Sequence, residues 1–128
     1  MKQQDIFDTV AKHLFTQGQQ SIVNGICQYR DENDHSCAVG CLIPDSIYET
    51  KFEGQPINWL LAECDLLRDT LGGENDVLLM SLQSLHDQRS NDCDPWLTTL
   101  DMQIALADVA SIHGLSAAIL TDLKFVDR

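Results

Sequence analysis

Four side chains able to bind a soft metal fall within one short stretch: Cys27, His35, Cys37 and Cys41. Thiolates and imidazole are the donors zinc prefers, and four of them would close a tetrahedral structural site. The spacing argues against that use. Cys37 and Cys41 are separated as a zinc knuckle requires, but the upstream half offers Cys27 alone where a knuckle supplies a pair. On a strand, Cys37 and Cys41 would face the same way roughly 13 Å apart, too far to share one ion. Only a helix lets them converge. The expectation is therefore buried thiols, serving as small apolar side chains among Ala38, Val39 and Leu42. No metal and no cofactor is expected.

A second constellation is His86-Asp87. Helical phosphohydrolases of the HD type use such a pair with an upstream histidine and a downstream aspartate, and His35, Asp101 and Asp108 supply those types. A small metal-dependent hydrolase using His86 and Asp87 is accordingly the alternative function. Thiol catalysis would need Cys41 or Cys93 as nucleophile, with His35 or His86 as base. Asp92 and Asp94 flank Cys93, and negative neighbours raise a thiol pKa. Cys41 sits in an apolar run, which raises it too. No catalytic residue is assigned.

The remaining chemistry is recognition. Tyr29, Arg30, Asp31, Glu32, Asp34, His35 and Tyr48 cluster in the least helical part of the chain, and aromatics with arginine are common interface anchors. Glu32 and Asp34 lie in a polar stretch, residues 31–36, of turn-forming composition. This set is the expected protein-binding surface. Trp59 lies in the same region, whereas Trp96 reads as core.

These residues must be positioned by helices. Ile6, Phe7, Val10, Leu14 and Phe15 form one helical face over residues 5–17, which Gly18 can end. Residues 21–25 are a connector or a short helical turn. Residues 26–30 look like a strand, and the apolar run 37–43 can return as the second arm of a β-hairpin. Alternatively, Ser36 caps a short buried helix over the same run. Pro44 ends it in either case. Asn58 can cap a helix to Leu71, closed by Gly72-Gly73. A helix from Asn75 or Asp76 runs to about Arg89 with Leu78, Leu82 and Leu85 inward. Asp94-Pro95 opens a helix with Trp96, Leu100, Ile104 and Ala107 as its buried stripe, widened by Leu97, Leu106, Val109 and Ile112, which would make it central. His113-Gly114 ends it, and Ser116 caps a last helix through Phe125. The expected fold is one mainly α domain, residues 1–128, with about five helices and one small β-hairpin near residues 26–43.

Composition bounds the partners. The net charge is -12, from 20 acids against 8 Lys+Arg spread along the chain. That is a poor surface for nucleic-acid backbone, which needs a basic face. A basic protein partner fits it. The longest apolar run falls far short of the roughly 20 residues a membrane span needs. Asp5 and Asp8 interrupt the region where a signal peptide would be apolar, and an odd count of five cysteines favours reduced thiols in a cytoplasm.

The pattern Tyr29-Arg30, a polar turn, then Cys37-Ala38-Val39-Gly40-Cys41-Leu42-Ile43-Pro44-Asp45 resembles a group of small phage and mobile-element proteins. The resemblance continues through Tyr48, Glu53-Gly54, Leu82-Gln83, His86-Asp87 and Trp96. It implies a phage or gene-cassette setting, where small acidic proteins that inhibit or divert host machinery are common. It carries over no catalytic residue. The expected function is a non-enzymatic, protein-binding accessory protein, with a homodimer as a further partner state.

Overall fold

The computed structural model describes residues 1–23, 26–87 and 97–125. The element order is helix α1 (Gln3–Gln17), strands β1 (Ile22–Val23) and β2 (Ile26–Cys27), then helices α2 (Ile57–Glu63), α3 (Asp65–Leu71), α4 (Asp76–Asp87) and α5 (Thr99–Ile112). Short 3-10 turns occupy Gly40–Leu42, Thr50–Phe52, Gly73–Asn75 and Ala118–Asp122. The mainly α expectation holds.

α1 forms where its periodicity places it. Ile6, Phe7, Val10, Ala11, Leu14 and Phe15 are buried, and Gly18 at φ 72 closes the helix by donating its N–H to the Leu14 carbonyl. α4 buries Leu78, Leu79, Leu82 and Leu85 and packs against α1, α2 and α5. Each fully buried leucine contributes about 2 kcal/mol of transfer free energy. α4 is thus the central helix, not α5 as the sequence suggested.

α5 differs from expectation for a legible reason: it is apolar on both faces. It buries Met102, Leu106, Val109 and Ala110, while Leu100 and Ile104 face solvent. Leu97 precedes the helix, and Thr98 caps it by accepting the Asp101 amide at 3.0 Å. The expected Asp94-Pro95 start, with Cys93 and Trp96, lies outside the described residues. The single helix expected over residues 58–71 is two helices, with extended backbone at Cys64 between them. That break lets Leu60 and Leu61 of α2 and Leu67 and Leu71 of α3 all enter the core. The last expected helix is a 3-10 turn, begun by Ser116, whose Oγ accepts the Ala118 amide.

The strands also redistribute. β2 pairs antiparallel with β1, matching Ile22 to Cys27 and Val23 to Ile26, so residues expected to be a connector supply a strand. The chain does reverse at residues 31–35, but the returning arm meets the first at a single bridge, Arg30 to Ser36. Residues 37–43 then turn into the Gly40–Leu42 3-10 helix instead of continuing as a strand. Cys37, Ala38 and Val39 are buried there, so the box is core.

Candidate functional site

The turn at residues 31–35 is built around one carboxylate. Asp31 Oδ1 accepts the amides of Asn33 at 2.8 Å and His35 at 2.9 Å, and Oδ2 lies 3.1 Å from His35 Nδ1. Burial alone would raise the Asp31 pKa, but these bonds outweigh it and hold it below the ordinary aspartate value. α1 grips the returning arm. Gln17 both donates to the Ser36 carbonyl and accepts its amide, His13 Nε2 bonds the same carbonyl, and Ser21 Oγ donates to the His35 carbonyl. Burial pulls the His13 pKa down against that carbonyl contact. The result is a stiff turn with Glu32 and Asp34 exposed at its tip, Asp34 in the left-handed region at φ 66.

Tyr29 is buried, and Arg30 and Tyr48 are half-buried and held by internal contacts rather than offered at the tip of the turn. Glu53 receives the Tyr29 amide at 2.7 Å, the Arg30 amide at 3.1 Å and the Tyr48 hydroxyl. The Tyr29 ring is buried and its hydroxyl donates to the Gln55 carbonyl. Arg30 stacks on the Tyr48 ring, 4.5 Å from its centroid, and reaches the Ile43 carbonyl and Asp45. Burial, then the Glu53 contact, pushes the Tyr48 pKa up to about 12. Glu53 carried no functional reading in the sequence, since a glutamate beside a glycine has no periodic signature.

The zinc set weighed from the sequence, Cys27, His35, Cys37 and Cys41, is not a convergent group. Among the described residues, the one convergent group of metal-ligand side chains is Cys27, His86 and Asp87, whose ligand atoms lie within 4.8 Å of one another. Cys37 is buried, its sulfur accepts the Gly40 amide, and burial pushes its thiol pKa up. Cys41 donates to the Ala38 carbonyl and is pushed up to about 12 by burial. Neither is a ready nucleophile. His35 is taken up with Asp31. Asp101 and Asp108 lie exposed on α5, outside the convergent group.

The His86–Asp87 pair is real but locked. His86 is fully buried, and its Nε2 accepts the Ser21 amide at 3.1 Å. A neutral imidazole has one proton and one lone pair, so the proton sits on Nδ1, 2.9 Å from Asp87 Oδ1. Metal binding through Nδ1 would put a proton on Nε2, facing the Ser21 N–H, donor against donor. Metal-binding histidines do the reverse and donate their second nitrogen to an acceptor. General-base work meets the same obstacle. Asp87 also accepts from Gln83 at 2.8 Å and from the Cys27 thiol. Burial would raise the Asp87 pKa, but the His86, Cys27 and Gln83 bonds outweigh it and lower it.

An acid-stability prediction follows from the two aspartates. Both have folded-state pKa values below the unfolded value, so each contributes stability above the unfolded pKa and loses it as pH falls through the folded one. Urea midpoints measured through the acid range should fall more steeply for the native chain than for Asp31→Asn or Asp87→Asn. Parallel curves would mean these carboxylates are not selectively stabilised in the fold.

Cys27 and Asp87 open onto a cavity of about 490 Å³ between β2, the start of α2 and one face of α4. No described helix is long and apolar enough to cross a membrane. No protein-family model, curated protein or solved structure matches the chain.

Proposed function

We propose that the chain is a non-enzymatic binding protein that presents its acidic turn, residues 31–35, to a basic surface of another protein. The observation that carries this reading is the construction of that turn. Asp31 and three side chains from α1 and the segment after it fix the backbone, while Glu32 and Asp34 are left exposed. A contact loop stiffened before binding loses little entropy on binding. The net charge of -12 steers a basic partner toward the surface. Catalysis has less support, because the one convergent metal-ligand cluster among the described residues has its imidazole lone pair occupied by a backbone amide. The resemblance to phage and mobile-element proteins supplies a setting in which such a binder would divert host machinery. Self-association is a second reading, favoured by exposed Leu100, Ile104 and Ile112 on α5.

Cross-linking capture tests the turn. A partner held by the native chain should be lost from Glu32→Lys/Asp34→Lys by roughly tenfold or more. Asp69→Lys/Asp108→Lys, with the same charge change on exposed helix positions, should retain it. Equal capture by both double variants would refute the turn as the contact surface.

A further inference from the structure

We propose that the cavity between β2, α2 and α4 binds an ammonium or guanidinium group carried on a short apolar stem, with the cation seated against Asp87. This inference stands apart from the turn and does not rest on it. The cavity volume, about 490 Å³, falls in the range of small-ligand sites, about 300–1,000 Å³. One wall is a single face of α4: Met80, Gln83, Ser84 and Asp87 recur at helical spacing. Of the other residues that line it, Ile57 and Tyr29 are buried, and Ile26 and Met80 are exposed.

Charge selects the ligand. Among the described residues, no lysine, arginine or second carboxylate lines the cavity, so the Asp87 carboxylate sets the sign of that lining. The groups that bond Asp87 are neutral donors: an amide from Gln83, a thiol from Cys27, and the Nδ1–H of an imidazole whose other nitrogen accepts the Ser21 amide. They hold the carboxylate ionised without cancelling its charge. Its side chain keeps 41% of its exposure, enough to admit a ligand. An incoming cation gains a charge-assisted hydrogen bond there, and its stem leaves water against Ile57 and Met80. An anion would be repelled. The same chemistry reaches the cavity from two sources: a free small amine or guanidine, or a lysine or arginine side chain of another protein.

Titrating the full chain with n-butylguanidinium, followed by amide NMR shifts, tests the site. The expected result is saturable binding that moves the Gln83, Ser84 and Asp87 amides. N-butylurea, the neutral isostere, should bind about tenfold or more weakly, as loss of a charged hydrogen bond implies. Asp87→Asn should reduce butylguanidinium to the urea level. Ser84→Trp, which fills the cavity from its exposed wall and leaves the carboxylate in place, should abolish both, and it decides the matter should Asp87→Asn fail to fold. Acetyl-Gly-Arg-Gly-amide distinguishes the sources. Binding as tight as butylguanidinium supports a partner's side chain, and exclusion of the peptide while the small cation binds supports a free ligand. Equal affinity for butylguanidinium and butylurea, an unchanged affinity in Ser84→Trp, or no saturable binding to the native chain would overturn the proposal.

Discussion

Gly40→Ala should be the most damaging methyl group that can be added to this protein. A Cβ at position 40 would stand 2.0 Å from the Tyr29 carbonyl oxygen and 2.8 Å from its carbon. Both atoms are backbone, so no rotamer change relieves the clash. The Tyr29 carbonyl is also fixed from elsewhere, since it accepts the Cys37 amide, and the Tyr29 N–H is bound by Glu53. The Gly40–Leu42 turn or the segment at Tyr29 must shift, and each holds buried side chains. The expected cost is about 3 kcal/mol or more, at the upper end for single substitutions. That lowers the melting temperature by roughly 10 °C for a domain of this size, or prevents folding. A melting temperature within about a degree or two of the native value, small on the scale of a 1 kcal/mol change, would mean the close approach is not present in solution.

Glu53→Ala should be the most damaging loss of a polar group. One carboxylate accepts two consecutive backbone amides, Tyr29 and Arg30, and the Tyr48 hydroxyl. Removing it leaves two partly buried N–H groups without their charged acceptor, and frees Tyr48 from its place under Arg30. Hydrogen bonds to charged groups are worth about 1.5–3 kcal/mol each, and water can replace part of the loss at a half-exposed site, so the expected total is about 2–4 kcal/mol. Glu53→Gln keeps one acceptor oxygen and should cost about half as much. Urea unfolding reads both values. An alanine variant within about 0.5 kcal/mol of native, the range of ordinary surface changes, would show that solvent serves these amides as well as Glu53 does.

These two residues also mark where sequence reasoning stops. The helices were legible because their signal is local. The 3.6-residue spacing of Ile6, Val10 and Leu14 and the glycine after them fix α1 without reference to anything else. Where local signals are two-sided they mislead. α5 is apolar all round, so the pattern could not say that Met102 and Leu106 face inward and Leu100 outward. A break at Cys64 has no proline or glycine to announce it. The box at residues 37–43 was equally apolar as strand or helix, and the choice is made by contacts far along the chain: Gly40 against Tyr29, and the Val39 amide on Gln83.

The candidate site was legible only in part. His86-Asp87 stood out because adjacent histidine and aspartate are chemically conspicuous. That Cys27 would join them, and not Cys37 or Cys41, depends on the fold bringing β2 beside the end of α4. The residue that decides the cluster's chemistry is Ser21, and it acts through its backbone amide, which no side-chain motif can report. Similarly, Asp31 was read as an exposed contact residue, whereas it serves as the internal brace of the turn whose tip is Glu32 and Asp34.

We propose that this protein binds rather than turns over substrate, since among the described residues the one convergent metal-ligand cluster has both imidazole nitrogens of His86 held by hydrogen bonds. Long-range ¹H–¹⁵N spectra of the histidine rings, recorded before and after equimolar zinc, test it most directly. The expected result is that His86 carries its proton on Nδ1, with an unprotonated Nε2, and that zinc leaves both nitrogen shifts in place. A His86 ring protonated at Nε2, or an Nδ1 resonance that moves to a metal-bound position on adding zinc, would contradict it and restore the hydrolase reading of His86 and Asp87.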